Sequence, residues 1–170
     1  MAILDVVDTN DEVIGSASYE EINDKQLLHR SVCILLFDDE DRLYLQRRAK
    51  VHILDPGLWD MSATGHVDLG ESYQAAAERE VEEELGLRDI KIKQITKYYN
   101  DEPNSVYGLL KGFVGLFVAY NNGHAVVPNV IEVMDGKWVT ALELEELLAE
   151  SPQEFTEGAR TAYQKYKESK

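Results

Sequence analysis

Cysteine is nearly absent: Cys33 is the single one in 170 residues, so neither an internal disulfide nor a thiolate-rich metal centre is available. Its place in Ser31-Val32-Cys33-Ile34-Leu35-Leu36-Phe37 reads as a buried strand, where it acts as a small core hydrophobe. Proline is scarce at four residues, and no stretch rich in Pro, Gly and Ser separates one part of the chain from another. No internal repeat is visible. No apolar run approaches the roughly 18 residues of a spanning helix. The opening residues, MAILDVVD, lack the basic segment of a secretory signal, so a cytoplasmic protein is expected. Basic residues are outnumbered 17 to 32, a net charge of −15. Such a surface repels nucleic-acid polymers and anionic membranes. An anionic substrate would need positive charge from elsewhere, and a metal ion is the ready source.

What is present has the size and composition of one globular domain, 44% apolar and 29% charged. Ile3 to Val7 and Glu12 to Ser16 read as a hairpin about an Asn-Asp turn. Ser31 to Phe37 and Leu43 to Arg47 read as strands joined by the acidic turn Asp38 to Asp41, and Pro56-Gly57 marks a loop. From Tyr73 to Leu85 the period becomes helical: Ala77, Val81 and Leu85 form one stripe, with Ser72 as N-cap and Gly86 just past the end. Further strands are expected at Ile90 to Lys93 continuing toward Tyr99, at Gly112 to Tyr120 and at Lys137 to Thr140. Helices are expected at Leu142 to Leu148 and Phe155 to Lys167, with Thr140 and Ser151 or Pro152 near their starts. The order predicts a mixed α/β fold, a mixed sheet covered by helices on both sides.

Residues 65–87, GHVDLGESYQAAAEREVEEELGL, carry seven acids and one base. On a helix, Glu80, Glu83 and Glu84 stand at i, i+3 and i+4, so three carboxylates share a face. An acidic face is ordinarily a solvated one. Carboxylates held this close also form a hard-oxygen set that selects Mg²⁺ or Mn²⁺ over zinc. The spacing further fits G-x5-E-x7-R-E-U-x-E-E-x-G-U, U being a bulky aliphatic. The matching residues are Gly65, Glu71, Arg79, Glu80, Val81, Glu83, Glu84, Gly86 and Leu87.

This pattern resembles the signature of the Nudix hydrolases. The resemblance implies an α/β/α sandwich with a central mixed sheet and a loop–helix–loop motif. One domain would span residues 1–170, with 1–28 as an N-terminal hairpin extension, 65–87 as the box and 141–170 as C-terminal helices. Glu80, Glu83 and Glu84 would hold Mg²⁺ or Mn²⁺, joined by the Gly65 carbonyl, while Arg79 and Glu71 would brace the loop against the helix. The implied reaction is attack of a metal-activated water on the diphosphate of a small organic molecule such as a nucleoside diphosphate derivative. Glu83 is a candidate to take the water's proton.

Flanking residues narrow the resemblance. Leu27-Leu28-His29-Arg30, Leu45-Gln46-Arg47-Arg48-Ala49, Pro56-Gly57-Leu58-Trp59, Gly65-His66 and Pro128-Asn129-Val130-Ile131-Glu132 are similar to the isopentenyl-diphosphate isomerase branch. That similarity makes Arg48, with Arg47, a diphosphate contact, and Glu132 a second catalytic or metal-binding carboxylate. Two adjacent strand residues point to opposite sides, so only one of the arginines is expected to face a site. The isomerases need a catalytic Cys where this chain has Thr64, with Cys33 elsewhere in the sequence. Of their five metal-ligand positions His29, His66 and Glu132 persist, whereas Ile22 and Val130 cannot ligate.

Each histidine alone reads as a hydrogen-bonded structural residue. The resemblance makes His66 and His29 substrate-contact candidates and offers His52 to phosphate; His124 reads as surface. Trp59 and Tyr98-Tyr99 are aromatics that either stack a base or pack in the core. The expected activity is a diphosphate hydrolase, with a non-catalytic nucleotide-binding module or an isomerase-like enzyme as alternatives. A homodimer, common among such proteins, is compatible with the sequence.

Overall fold

The computed structural model describes residues 2–104 and 108–170, with side chains described outside 102–110. In chain order the elements are β1 (Ile3–Val7), β2 (Val13–Ser18), α1 (Tyr19–Lys25), β3 (His29–Phe37), β4 (Leu43–Arg48), β5 (Trp59–Asp60), β6 (Ala63–His66), α2 (Tyr73–Leu85), β7 (Ile92–Asn104), β8 (Gly108–Tyr120), β9 (Val133–Val139), α3 (Ala141–Glu150) and α4 (Glu157–Glu168). A 3-10 turn at Pro152–Glu154 precedes α4.

β3 organises the sheet. It runs parallel to β8 from His29↔Gly112 to Phe37↔Tyr120 and antiparallel to β6 from Ser31↔His66 to Ile34↔Ala63. At its far end it meets β4 at Phe37↔Leu43, and β4 pairs with β5 and β9. β7 lies antiparallel on the outer side of β8. Alternation along β3 sends Val32, Ile34 and Leu36 to the α2 side, against Ala76, Ala77, Val81 and Leu85. Cys33, Leu35 and Phe37 go to the other side, against Leu144 of α3 and Ala159, Ala162 and Tyr163 of α4. The result is the expected α/β/α sandwich about a mixed sheet. Among the described residues no helix is long and apolar enough to cross a membrane.

α2 begins where Ser72 accepts from the Ala75 N–H (3.2 Å) and ends at Gly86, whose φ of +66° is the left-handed cap a glycine adopts without strain. Four elements differ from the expectation. α1 was not expected, because its seven residues bury only one apolar side chain, Ile22, and so show no period. Toward Tyr99 the strand after α2 begins at Ile92 rather than Ile90. β9 starts at Val133 rather than Lys137. It tolerates Gly136 in its interior because the Tyr44 hydroxyl fills the space where a Cβ would stand. The last helix starts after Thr156, not at Phe155, because the Thr156 hydroxyl caps the Ala159 N–H at 2.9 Å.

β1, β2 and α1 form an N-terminal unit with its own small core of Leu4, Val6, Ala17 and Ile22. The unit is fastened through Asp11, at the hairpin tip. The buried Asp11 carboxylate accepts from Arg30 Nε of β3 (2.6 Å), from the Lys97 ammonium of β7 and from the Tyr73 hydroxyl at the start of α2 (3.1 and 3.2 Å). Burial alone would raise the pKa of this carboxyl. The hydrogen bonds from Lys97 and Arg30, with the Arg30 charge, outweigh that and hold it below the usual carboxylate range.

A group whose folded pKa is depressed stabilises fully above its unfolded value, near pH 4, and ceases to do so as pH falls through the folded one. Asp11→Asn is therefore expected to cost about 3 kcal/mol of unfolding free energy at pH 7. Urea titrations of both proteins at pH 7 and pH 3 should show the gap between them shrinking at the lower pH.

Candidate functional site

The row of α2 that continues Ala76 carries Glu80 and Glu84, and both are buried, 7% and 4% exposed. They sit where α2 meets β6, and the backbone there is shaped around them. The Glu84 carboxylate accepts from the Thr64 N–H (3.0 Å) and from Gln46 Nε2 (2.8 Å). The Glu80 carboxylate occupies the volume a Cβ on residue 65 would take: such a Cβ would lie 1.9 Å from Glu80 Oε1. The lack of a side chain at 65 is thus what lets this carboxylate lie directly on the backbone. Burial, with repulsion from Glu83 and Glu132, pushes the Glu80 carboxyl up to about 7. Burial together with Glu80 raises that of Glu84 well above the usual range.

Arg79 organises the rest. Its Nε and Nη2 grip both Glu71 oxygens (3.1 and 2.9 Å), and Nη2 also donates to the His66 carbonyl (2.8 Å). Nη1 reaches Glu80 (2.6 Å) and Glu83 (3.2 Å). As they stand, the carboxylates do not converge on one point. Among the described residues no group of three His, Cys, Asp or Glu side chains is disposed around a common centre, since Arg79 draws Glu80 and Glu83 while Gln46 and Thr64 draw Glu84. The donor chemistry nonetheless fits a hard divalent cation: two buried carboxylates whose ionised forms lack sufficient countercharge, beside the exposed Glu83.

These groups line one side of a cavity of about 460 Å³, within the usual range for a small-molecule site. Its floor is a face of the sheet. Register places His66, Ser31, Val114 and Tyr98 in one row and His29, Gly112 and Asn100 in the next. Arg48, His52, Asp60, Lys111 and Glu132 also line it. Arg48 is held by Asp60 Oδ2 (3.4 Å) and the Leu54 carbonyl (3.2 Å). Asp60, buried and with its pKa raised by that burial, is further held by the Thr156 hydroxyl (3.1 Å). Glu132 accepts from Asn129 Nδ2 (2.9 Å), and its carbonyl accepts from His52 Nε2 (2.8 Å).

The cavity thus gathers Gly65, Glu80, Glu83, Glu84, Glu132, Arg48, His66, His29 and His52. Arg47 is a correction. It donates to the Gly57 carbonyl (2.8 Å) and lies over the Trp59 ring, outside the cavity, because alternation sends it to the other side of β4 from Arg48. Trp59 is 8% exposed in the core, beneath Arg47 and Lys137, so it is not a stacking surface. Tyr98 lines the cavity whereas Tyr99 faces outward against Phe113. His66, its ring 5.3 Å from that of His29, is kept neutral by burial, its pKa falling to about 3; burial lowers His29 as well. Both offer hydrogen bonds rather than charge.

Cys33 packs in the core as expected, and it also lines the cavity, directly cross-strand from Thr64. Gln46 and Asp60 escaped the sequence reading because neither belongs to the box. A buried Gln beside the Arg pair, and an Asp after an aromatic in a short strand, were the available signals.

The NUDIX domain model matches residues 27–160. The chain belongs to the NUDIX family. Among its relatives, isopentenyl-diphosphate Delta-isomerase 2 of Photorhabdus laumondii is 37% identical over 158 residues, covering 91% of this chain and 86% of that protein. An uncharacterized Nudix hydrolase of Streptomyces coelicolor is 34% identical over 162 residues, covering 95% and 86%. A crystal structure of a Deinococcus radiodurans protein shares the NUDIX fold, with TM-score 0.72 and 24% identity over 88% of this chain and 90% of that one.

Gly65→Ala tests the packing of Glu80 on the backbone. The clash is with the mobile end of a side chain, so the protein should fold while the carboxylate is displaced. Circular dichroism should be unchanged and affinity for Mn²⁺ should fall about 10-fold or more; unchanged affinity would contradict the packing argument.

Proposed function

We propose that this NUDIX protein is a Mg²⁺-dependent pyrophosphohydrolase of small organic diphosphates, nucleoside diphosphate derivatives foremost. The observation that carries the reading is the buried Glu80–Glu84 pair lining the same cavity as Arg48. Glu80, Glu83 and Glu84, with the Gly65 carbonyl, are the groups that would hold Mg²⁺ or Mn²⁺. The ion, when bound, neutralises phosphate charge and acidifies water.

The chain's own residues do the remainder. Arg48, steadied by Asp60, offers a planar fork of donors to a diphosphate oxygen. Glu83 or Glu132 accepts the proton of the water that attacks phosphorus, as the bridging P–O bond breaks and the second phosphate leaves. Glu71 and Arg79 keep the loop and helix in register. Neutral His66 and His29 hydrogen-bond without adding charge. The floor crosses four strands, about 14 Å at the usual spacing, to Tyr98 and Asn100, with Lys111 also in the lining. That suits a substrate with polar groups beyond its diphosphate better than a short hydrocarbon.

A second reading, an isoprenoid diphosphate isomerase, is favoured by one observation: the Cys33 thiol lies cross-strand from Thr64 in the cavity lining. One experiment separates the two. Wild-type protein with Mg²⁺ is assayed for phosphate or nucleotide release across a diphosphate panel, and for solvent-proton exchange into isopentenyl diphosphate. We expect release that Glu84→Gln lowers at least about 100-fold with the fold intact. Proton exchange without release would favour the isomerase reading, and tight ligand binding without either a non-catalytic module.

A further inference from the structure

The N-terminal unit, Ile3–Lys25, precedes the region matched by the NUDIX model, yet it holds both ends of the segment that leads into α2. At one end β1 acts as a strand for the loop. Leu4 bridges antiparallel to Asp68, the Leu69 N–H donates to the Ile3 carbonyl (3.0 Å), and the Gly70 N–H donates to the Asp5 carboxylate (3.1 Å). Asp5 is only 5% exposed. The next residue in that loop is Glu71, whose carboxylate accepts from the Asp68 N–H (3.0 Å) and grips Arg79. At the other end Asp11 takes the hydroxyl of Tyr73, the first residue of α2. Between them the Tyr19 ring lies 4.6 Å from that of His66, and Ala2 joins the cavity wall.

From Asp5 a continuous path of bonds therefore runs through Gly70 and Glu71 to Arg79, and so to Glu80 and Glu83. Asp11 fixes the start of the helix that carries them. A second group bonding a ligand's partner ordinarily tunes affinity by restricting where the ligand can stand.

We infer that the N-terminal unit sets the position of the box carboxylates, with Asp5 and Asp11 as positioning residues. This rests on the reading of Glu80, Glu83 and Glu84 as cation ligands. The unit is then part of the working site, and cation affinity depends on residues outside the matched region.

The test is a titration with Mn²⁺ alone, followed by the electron paramagnetic resonance signal of the free ion, on folded full-length protein. Asp5→Ala removes the acceptor of the Gly70 N–H and should raise the half-saturating Mn²⁺ concentration about three- to ten-fold. Asp5→Asn keeps an acceptor oxygen and should restore most of it. Leu144→Ala, in the core beside α3, should lower the melting temperature without changing Mn²⁺ affinity. Tyr73→Phe removes the hydroxyl that Asp11 accepts, so it tests the helix end and stands in should Asp5→Ala fail to fold.

Folded Asp5→Ala, or Tyr73→Phe in its stead, binding Mn²⁺ like wild type would overturn the inference. So would an equal loss in Leu144→Ala, which would make the effect one of general stability. A wild-type protein that leaves the free-ion signal untouched would instead overturn the cation reading, and the inference with it.

Discussion

Glu71, Glu80 and Glu83 surround a single guanidinium, that of Arg79, which donates to all three and to the His66 carbonyl. The geometry of the loop, the helix and β6 depends on this cation. Without it the carboxylates repel and the loop loses its side-chain tie to α2 at Glu71. With it the loop is pinned at Glu71, the strand at His66 and the helix at Glu80. Arg79 does not discharge the site completely: Glu80 and Glu84 still have raised pKa values in their burial. Deep burial of two such groups disfavours their ionised forms, and a second cation beside them would relieve that cost.

The sheet makes that place useful. Because β3 is flanked by β6 on one side and β8 on the other, the carboxylates stand at one edge of a floor that extends across four strands. Arg48 and Glu132 come from β4 and the segment before β9. The acidic face of α2 and the Arg48 guanidinium thus belong to different elements and meet only in the folded chain. A protein of net charge −15 can bring a diphosphate into such a cavity if local charge, rather than total charge, governs the encounter.

Much of this was legible in the chain itself. The period of Ala77, Val81 and Leu85 and the caps Ser72 and Gly86 located α2, and the spacing from Gly65 to Leu87 marked the carboxylates that line the cavity. What was not legible depended on tertiary neighbours. Helix α1 has one buried apolar contact and therefore no pattern. Thr156 caps α4 while holding Asp60, a double duty visible only once β5 lies beside that helix. Asp11 reads as a turn residue, yet it fastens the hairpin to β3, β7 and α2. The chain offers Arg48 and, less firmly, Arg47, only one of which can face the site, and the pairing of β4 decides for Arg48. Cys33 read as core; its proximity to Thr64 follows from a register that no single strand reveals.

Anomalous scattering from a crystal grown with saturating Mn²⁺ tests whether Glu80, Glu83 and Glu84 with Gly65 hold a divalent cation. A peak is expected bounded by those carboxylates and the Gly65 carbonyl, at the roughly 2.0–2.6 Å separations usual for oxygen ligands of hard cations. A crystal with no peak there, or with Mn²⁺ only at other surface acids, would contradict it.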